Sequence, residues 1–171
     1  MKVINLYGGP GTGKSTTAAG LFFEMKNRGI LCELVTEYAK DMHWEGRDNV
    51  LRDQLYVTAK QHRKLLRLKG QVDYAITDSP LLLGVVYDSI QEKPLGYKYT
   101  HLVEQLYGDF DNKNFMLQRV KPYVETGRSQ TEAEAKDLDL LIADVLLGDT
   151  YAIVTANQDA PKEIMKVLKL A

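Results

Sequence analysis

Gly8-Gly9-Pro10-Gly11-Thr12-Gly13-Lys14-Ser15 fits the pattern G-x-x-x-x-G-K-[ST] without a mismatch. Val3-Ile4-Asn5-Leu6-Tyr7 before it reads as a short buried strand, and Ser15 to Met25 after it reads as a helix. That strand–loop–helix setting separates a phosphate site from a glycine-rich turn that merely opens a helix. The glycines let the backbone wrap so that successive N–H groups point inward at phosphate oxygens. The helix start adds unpaired N–H groups and a positive partial charge. Gly8 through Thr16 is therefore expected to cradle the phosphates of ATP. Lys14 then reaches the β- and γ-phosphates, and the Ser15 hydroxyl holds Mg²⁺.

Working outward, Arg28-Gly29 closes the first helix, and Ile30 to Thr36 reads as a second strand. Strand, phosphate loop, helix, strand opens a doubly wound α/β domain. Ligands in such sheets bind beyond the carboxyl ends of strands. Glu37, directly after the second strand, is thus a candidate for the phosphate cleft. Asp73 to Asp78 reads as a third strand that closes on an acid. An apolar strand ending in Asp is what the second Mg²⁺ contact of a phosphate-loop protein requires, and Asp78 takes that role beside Ser15.

Composition narrows the function classes. A chain of 171 residues predicts one domain, 1–171, with a mobile lid, and is long enough for a substantial core. Lys+Arg (22) and Asp+Glu (23) nearly cancel, which argues against a general nucleic-acid binder. The single cysteine, Cys32, has no internal partner and reads as a small residue opening a strand in a reducing, cytoplasmic setting. The chain starts almost directly with a core strand, so no signal peptide fits. No apolar run approaches the length of a membrane span.

The rest of the chain supplies the other side of the cleft. Tyr38 to Arg47 mixes the only tryptophan with charges; Trp44 reads either as a core anchor or as a stacking surface for a flat acceptor ring. Asp48 or Asn49 is expected to cap a helix with a stripe of Leu51, Leu55, Ala59, His62, Leu65 and Leu66. Its other face carries Lys60, Arg63, Lys64, Arg67 and Lys69, a solvated basic face. His62 reads as a partly buried structural histidine. Helices follow over Leu81–Ile90 and Thr100–Tyr107, with Tyr87, Tyr97, Tyr99 and Tyr107 as candidate lining or packing residues. Asn114 to Gln118 is the fourth strand, Arg119 stands at its carboxyl end, and a basic loop leads to a helix over 131–147. Thr131 and Glu134 are spaced as a capping box. The loop at about 119–131 has the layout of a lid in which Arg119, Lys121 and Arg128 close over phosphates. Tyr151 to Thr155 is the fifth strand; the turn holding Asn157 is expected near an adenine.

Five strands, a phosphate loop after the first, Glu37 after the second, Asp78 after the third and an arginine lid after the fourth resemble nucleoside and nucleotide kinases of the P-loop superfamily. The resemblance covers nearly the whole chain. Through Gly8–Ser15, Glu37-Tyr38, Thr77-Asp78 and Tyr123-Val124-Glu125-Thr126-Gly127-Arg128 it is most similar to the compact AAA-type ATPase/kinase group that includes nicotinamide riboside kinase domains. It also resembles small phage-encoded nucleotide kinases. The resemblance implies a three-layer fold, with a five-stranded parallel sheet and helices on both faces. Asp78-Ser79-Pro80 departs from the Glu-Arg-Ser of deoxynucleoside kinases and the Asp-Arg of thymidylate kinases.

The expected function is ATP- and Mg²⁺-dependent phosphoryl transfer to a small nucleoside- or nucleotide-like acceptor. Lys14 and Arg128 stabilise the migrating group, Glu37 or Asp78 acts as base, and Arg119 and Asn157 contact the nucleotide. The acceptor meets Glu37, Tyr38, Trp44 and Arg47. Two alternatives stay open: an ATPase switch working on a macromolecular partner, and a polynucleotide 5′-kinase using the basic face at 60–69.

Overall fold

The computed structural model describes residues 1–120, 122–123, 131–146 and 150–170. Among these residues five strands form one sheet: β1 (Lys2–Tyr7), β2 (Cys32–Val35), β3 (Tyr74–Thr77), β4 (Asp111–Gln118) and β5 (Tyr151–Thr155). Their order is β2-β3-β1-β4-β5, and every pairing is parallel. β1 lies at the centre and is buried on both faces, which explains its nearly unbroken apolar run. Alternation sends Val3 and Tyr7 into one core and Ile4 and Leu6 into the other.

Helices cover both faces, as expected. α1 (Lys14–Asn27) and α7 (Ala160–Val167) pack on the Ile4–Leu6 side through Ala18, Leu21, Met25, Ile164 and Met165. The opposite face receives α3 (Gln54–Leu66), α4 (Leu83–Ser89), α5 (Tyr97–Gly108) and α6 (Glu132–Val145). These contribute Leu65, Val86, Val103, Leu138 and Ile142 to the second core. α2 (Tyr38–Trp44) follows directly on β2. Thr131 and Glu134 form the expected capping box on α6.

Several local readings shift. The segment 48–52 is a 3₁₀ turn, and the α3 cap is Asp53, which accepts from the Tyr56 N–H at 2.9 Å. Of the predicted stripe Leu65 is buried as expected, but Leu55 and Leu66 are 48% and 42% exposed, and the rest of the buried face is Gln54, Thr58 and Gln61. β4 starts at Asp111, three residues before the predicted start. The polar residues there are admitted because Asn5 Nδ2 donates to Asn112 Oδ1 (2.8 Å) and Asn114 Oδ1 (3.0 Å), and Asn114 donates to the Tyr107 hydroxyl. α5 starts at Tyr97, three residues early, after Asp88 accepts the Leu95 and Gly96 N–H groups. Most of the lid expected over 119–131, Lys121 and Arg128 included, lies outside the described residues.

Candidate active site

Because all five strands run in parallel, the residue after each one arrives at the same rim of the sheet. Gly8 follows β1, Asp78 follows β3 and Arg119 follows β4, while Glu37 stands two residues past β2 and Asn157 two past β5. A cavity of about 530 Å³ opens on this rim. Lys14, Ser15 and Thr16 of the phosphate loop and α1 line it, together with Glu37, Lys40, His43 and Trp44.

The phosphate loop runs into α1 with Gly13 at the helix cap at φ 98°, a left-handed conformation that a side chain would strain. Among the described residues no side chain caps α1, so its first N–H groups keep their capacity for a ligand. Lys14 Nζ donates to the carbonyls of Gly8 (2.6 Å) and Gly9 (3.0 Å). Thr12 Oγ1 holds the Gly9 carbonyl as well, at 2.9 Å. The loop is thus braced around its own lysine.

The charges here are coupled. Burial pushes the Lys14 ammonium below its ordinary value, while Glu37, Asp78 and Asp139 pull it back up and Arg119 pushes it down. Burial lifts the Glu37 carboxyl above its ordinary value, opposed chiefly by Lys14, with Asp78 adding to the rise. A carboxylate poised in this way is a competent proton acceptor. Tyr87 lines the cavity, and burial together with Glu37, Asp139 and Tyr123 pushes its phenol strongly up, so it stays neutral.

Asp78 is buried, and its Oδ1 has no hydrogen-bond partner among the described residues. A buried carboxylate oxygen with nothing to accept is costly unless a cation meets it. Ser15 and Asp78 therefore suit Mg²⁺, whose oxygen-ligand shell is otherwise filled by phosphates and water. A groove lined by Gly13, Thr16, Gly20, Asn157 and Pro161 lies beside the start of α1, on the side of the loop where an adenine is expected.

The other candidates distribute unevenly. Trp44 is 65% exposed at the cavity wall, so it is no core anchor. Tyr38 is off the cavity; its hydroxyl bonds that of Tyr56, and Lys64 Nζ stands 5.8 Å over its ring. Arg47 is also off the cavity and pairs with Glu45 at 3.3 Å. Arg119 turns back on the loop, donating to the Pro10 carbonyl (2.8 Å) and to Asp139 (3.0 Å). Arg128 lies outside the described residues.

Two contributors escaped the sequence reading. Gln54, Thr58 and Gln61 line the cavity from α3. Their spacing, i, i+4, i+7, is a helical stripe, and that polar stripe was the available signal. Gln61 also ties two strand ends together, accepting from the Tyr38 N–H at 3.2 Å and donating to Thr77 Oγ1 at 3.3 Å. The second is Asp139 on α6, one turn from Ala135 and three residues before Ile142, on the helix face that is buried.

A parallel sheet in this order, with a phosphate loop leaving its central strand, defines a P-loop nucleotide-kinase fold. The chain belongs to the AAA domain family, whose model matches residues 3–161. Solved structures that match it include deoxyadenosine kinase from M. mycoides with bound dATP, at 18% identity and a TM-score of 0.51, covering 97% of each chain. A second is the M. mycoides enzyme with the products dCMP and a flexible dCDP bound, at 17% identity and a TM-score of 0.54, covering 99% of this chain and 97% of that one. No curated protein sequence matches the chain. No helix among the described residues is long and apolar enough to cross a membrane.

Proposed function

We propose that this protein is an ATP- and Mg²⁺-dependent kinase that phosphorylates a hydroxyl group of an uncharged, nucleoside-like acceptor. The observation that carries the reading is that Glu37 and Lys14 line one and the same cavity. Beyond Glu37 the wall is rich in amides and hydroxyls: Gln54, Thr58, Gln61 and Tyr87. Among the described residues lining it there is no arginine, the usual partner of an acceptor phosphate. A volume of about 530 Å³ is within the ordinary range for small-molecule sites. The bound nucleotides of the M. mycoides structures agree in kind with this reading.

The acceptor hydroxyl oxygen attacks the γ-phosphorus, the bond to the β-γ bridging oxygen breaks, and ADP leaves. The hydroxyl proton passes to the Glu37 carboxylate. Lys14 exchanges its bonds to the Gly8 and Gly9 carbonyls for the β- and γ-phosphates. Mg²⁺ held by Ser15 and Asp78 would offset phosphate charge. Trp44 offers an exposed ring face at the cavity wall for a flat group of the acceptor. Three of the cations at 60–69 are engaged within the chain, which makes them a poor nucleic-acid track. Lys60 stands over Tyr56, Lys64 bonds the Thr36 carbonyl, and Lys69 bonds that of Asp109.

The test is ADP release from ATP·Mg²⁺ across nucleosides, nucleoside monophosphates, nicotinamide riboside and a 5′-hydroxyl oligonucleotide, with Lys14→Ala as control. Strong stimulation by one uncharged nucleoside is the expected result. Stimulation by a monophosphate alone would overturn the acceptor class. Equal ADP release with and without every acceptor would favour an ATPase switch.

A further inference from the structure

α6 does more than cover the sheet. Asp139 Oδ1 accepts a hydrogen bond from the Gly9 N–H, and its Oδ2 accepts from Arg119 Nη2 at 3.0 Å. Arg119 Nη1 in turn donates to the Pro10 carbonyl at 2.8 Å. The four groups close a ring: loop N–H, carboxylate, guanidinium, loop carbonyl. The approach is tight. A β-carbon at position 9 would stand 2.4 Å from the Ala135 carbonyl oxygen and 2.9 Å from Asp139 Oδ1, so only glycine lets α6 this close. The Arg119 guanidinium also stacks 5.8 Å from the Tyr123 ring centroid. Its Nε–H is buried with no partner among the described residues, so that donor is unused.

We propose that Asp139 is a positioning residue of the nucleotide site, holding Arg119 against the phosphate loop in the orientation that receives ATP. The inference rests on the nucleotide-binding reading above. A carboxylate beside a phosphate loop repels the ligand unless it does something else. Here it aligns a cation and fixes the Gly9 N–H of the loop, and both oxygens are used. The ion pair is only slightly exposed, at 12% for Arg119 and 23% for Asp139, so solvent screens it weakly.

Charge and position make opposite demands, and a double-mutant cycle on ATP affinity separates them. The readout is the Kd for ATP without any acceptor. Asp139→Asn removes a negative charge yet is expected to weaken ATP about tenfold, because Arg119 loses its anchor. Arg119→Ala is expected to weaken ATP by at least as much. In the Arg119→Ala background, Asp139→Asn should no longer weaken binding and should tighten it slightly, since the amide oxygen still accepts from the Gly9 N–H and only charge relief remains. Equal weakening in both backgrounds would make Asp139 merely structural, and tightening in both would make it merely repulsive; either result overturns the proposal. The Gly9 amide resonance gives a check that needs neither turnover nor a variant. A bond to a carboxylate moves its proton downfield. A Gly9 proton at an ordinary shift overturns the proposal even if ATP binds. A wild-type chain that binds no ATP, with the Gly9 signal as expected, instead removes the nucleotide reading.

Discussion

A β-carbon on Gly84 would stand 2.5 Å from the Tyr99 hydroxyl. That hydroxyl is already engaged, 2.6 Å from Thr58 Oγ1 and donating to the Gln54 carbonyl at 3.2 Å. α3, α4 and α5 therefore meet at one point on the cavity wall, and the meeting works only without a side chain on α4. Gly84→Ala is expected to destabilise the fold by about 1–3 kcal/mol, the usual cost of overpacking a close contact. Tyr99→Phe should cost about 1 kcal/mol alone, for the lost bond to Gln54. Combined, the two should cost less than their sum, because one of the two clashing oxygens is gone and only Thr58 Oγ1, 2.6 Å from that β-carbon, remains. Urea unfolding of the four proteins decides it; strict additivity would mean that the clash is relieved elsewhere.

The second prediction concerns Glu37 and Lys14, whose ionisations are displaced toward one another. Burial raises Glu37 above its ordinary 4.5 and lowers Lys14 below its ordinary 10.5. The proposed base works ionised and the lysine works protonated. The kcat/KM for ATP, which reports the free enzyme, should thus fall on the acid side at a pH above 4.5 and on the alkaline side below 10.5. Glu37→Gln should remove the acid limb and lower kcat by about 10²–10⁴-fold. An unchanged acid limb in that variant would assign the titration to another group.

The parts of this site that were legible in the chain are those set by short-range spacing. Gly8 to Ser15 needs only its own order, and Glu37 and Asp78 follow from parallel strands ending at one rim. The α3 stripe is only partly legible because Leu55 and Leu66 compete with Gln54, Thr58 and Gln61 for the same helix. Leu65 enters the core, and the polar set is buried because it faces the cavity, whose wall mixes polar and apolar groups. Asp139 was illegible for a different reason. Its partner Gly9 is 130 residues away, and only the packing of α6 on the loop brings them together. Trp44 and Arg47 show that residue type alone does not settle burial or address: one ring stays exposed at the cavity, and one cation pairs with its near neighbour Glu45.

The orphaned oxygen of Asp78 makes a prediction about metal. Asp78→Asn removes a buried charge, so without Mg²⁺ the variant should melt no lower than the wild type. The Mg²⁺ concentration for half-maximal activity should rise about 10–100-fold, the range for losing a group that holds or orients a metal. Thermal melts with and without Mg²⁺·ATP check both halves together, because added Mg²⁺·ATP should protect the wild type more than the variant. A variant with normal Mg²⁺ demand would move the metal away from β3.

His62 supplies a stability prediction remote from the cavity. Its Nε2 is buried with no hydrogen-bond partner among the described residues, and its ring meets the edge of Phe110 at 6.0 Å. Burial pushes its pKa below the ordinary 6.5; Asp109 pulls it up and Lys69 pushes it down. The unfolded chain therefore takes up a proton near pH 6.5, while the folded chain refuses it until lower pH. Between those two values the unfolded state holds more protons, so unfolding becomes easier as pH falls. The contribution is complete above 6.5 and is lost progressively below it, levelling once the folded imidazole protonates. Urea unfolding at pH 7.5 and 5.5 should show the wild type losing more stability on acidification than His62→Gln, which has nothing to titrate at that position. Equal losses in the two proteins would place the acid sensitivity in other groups.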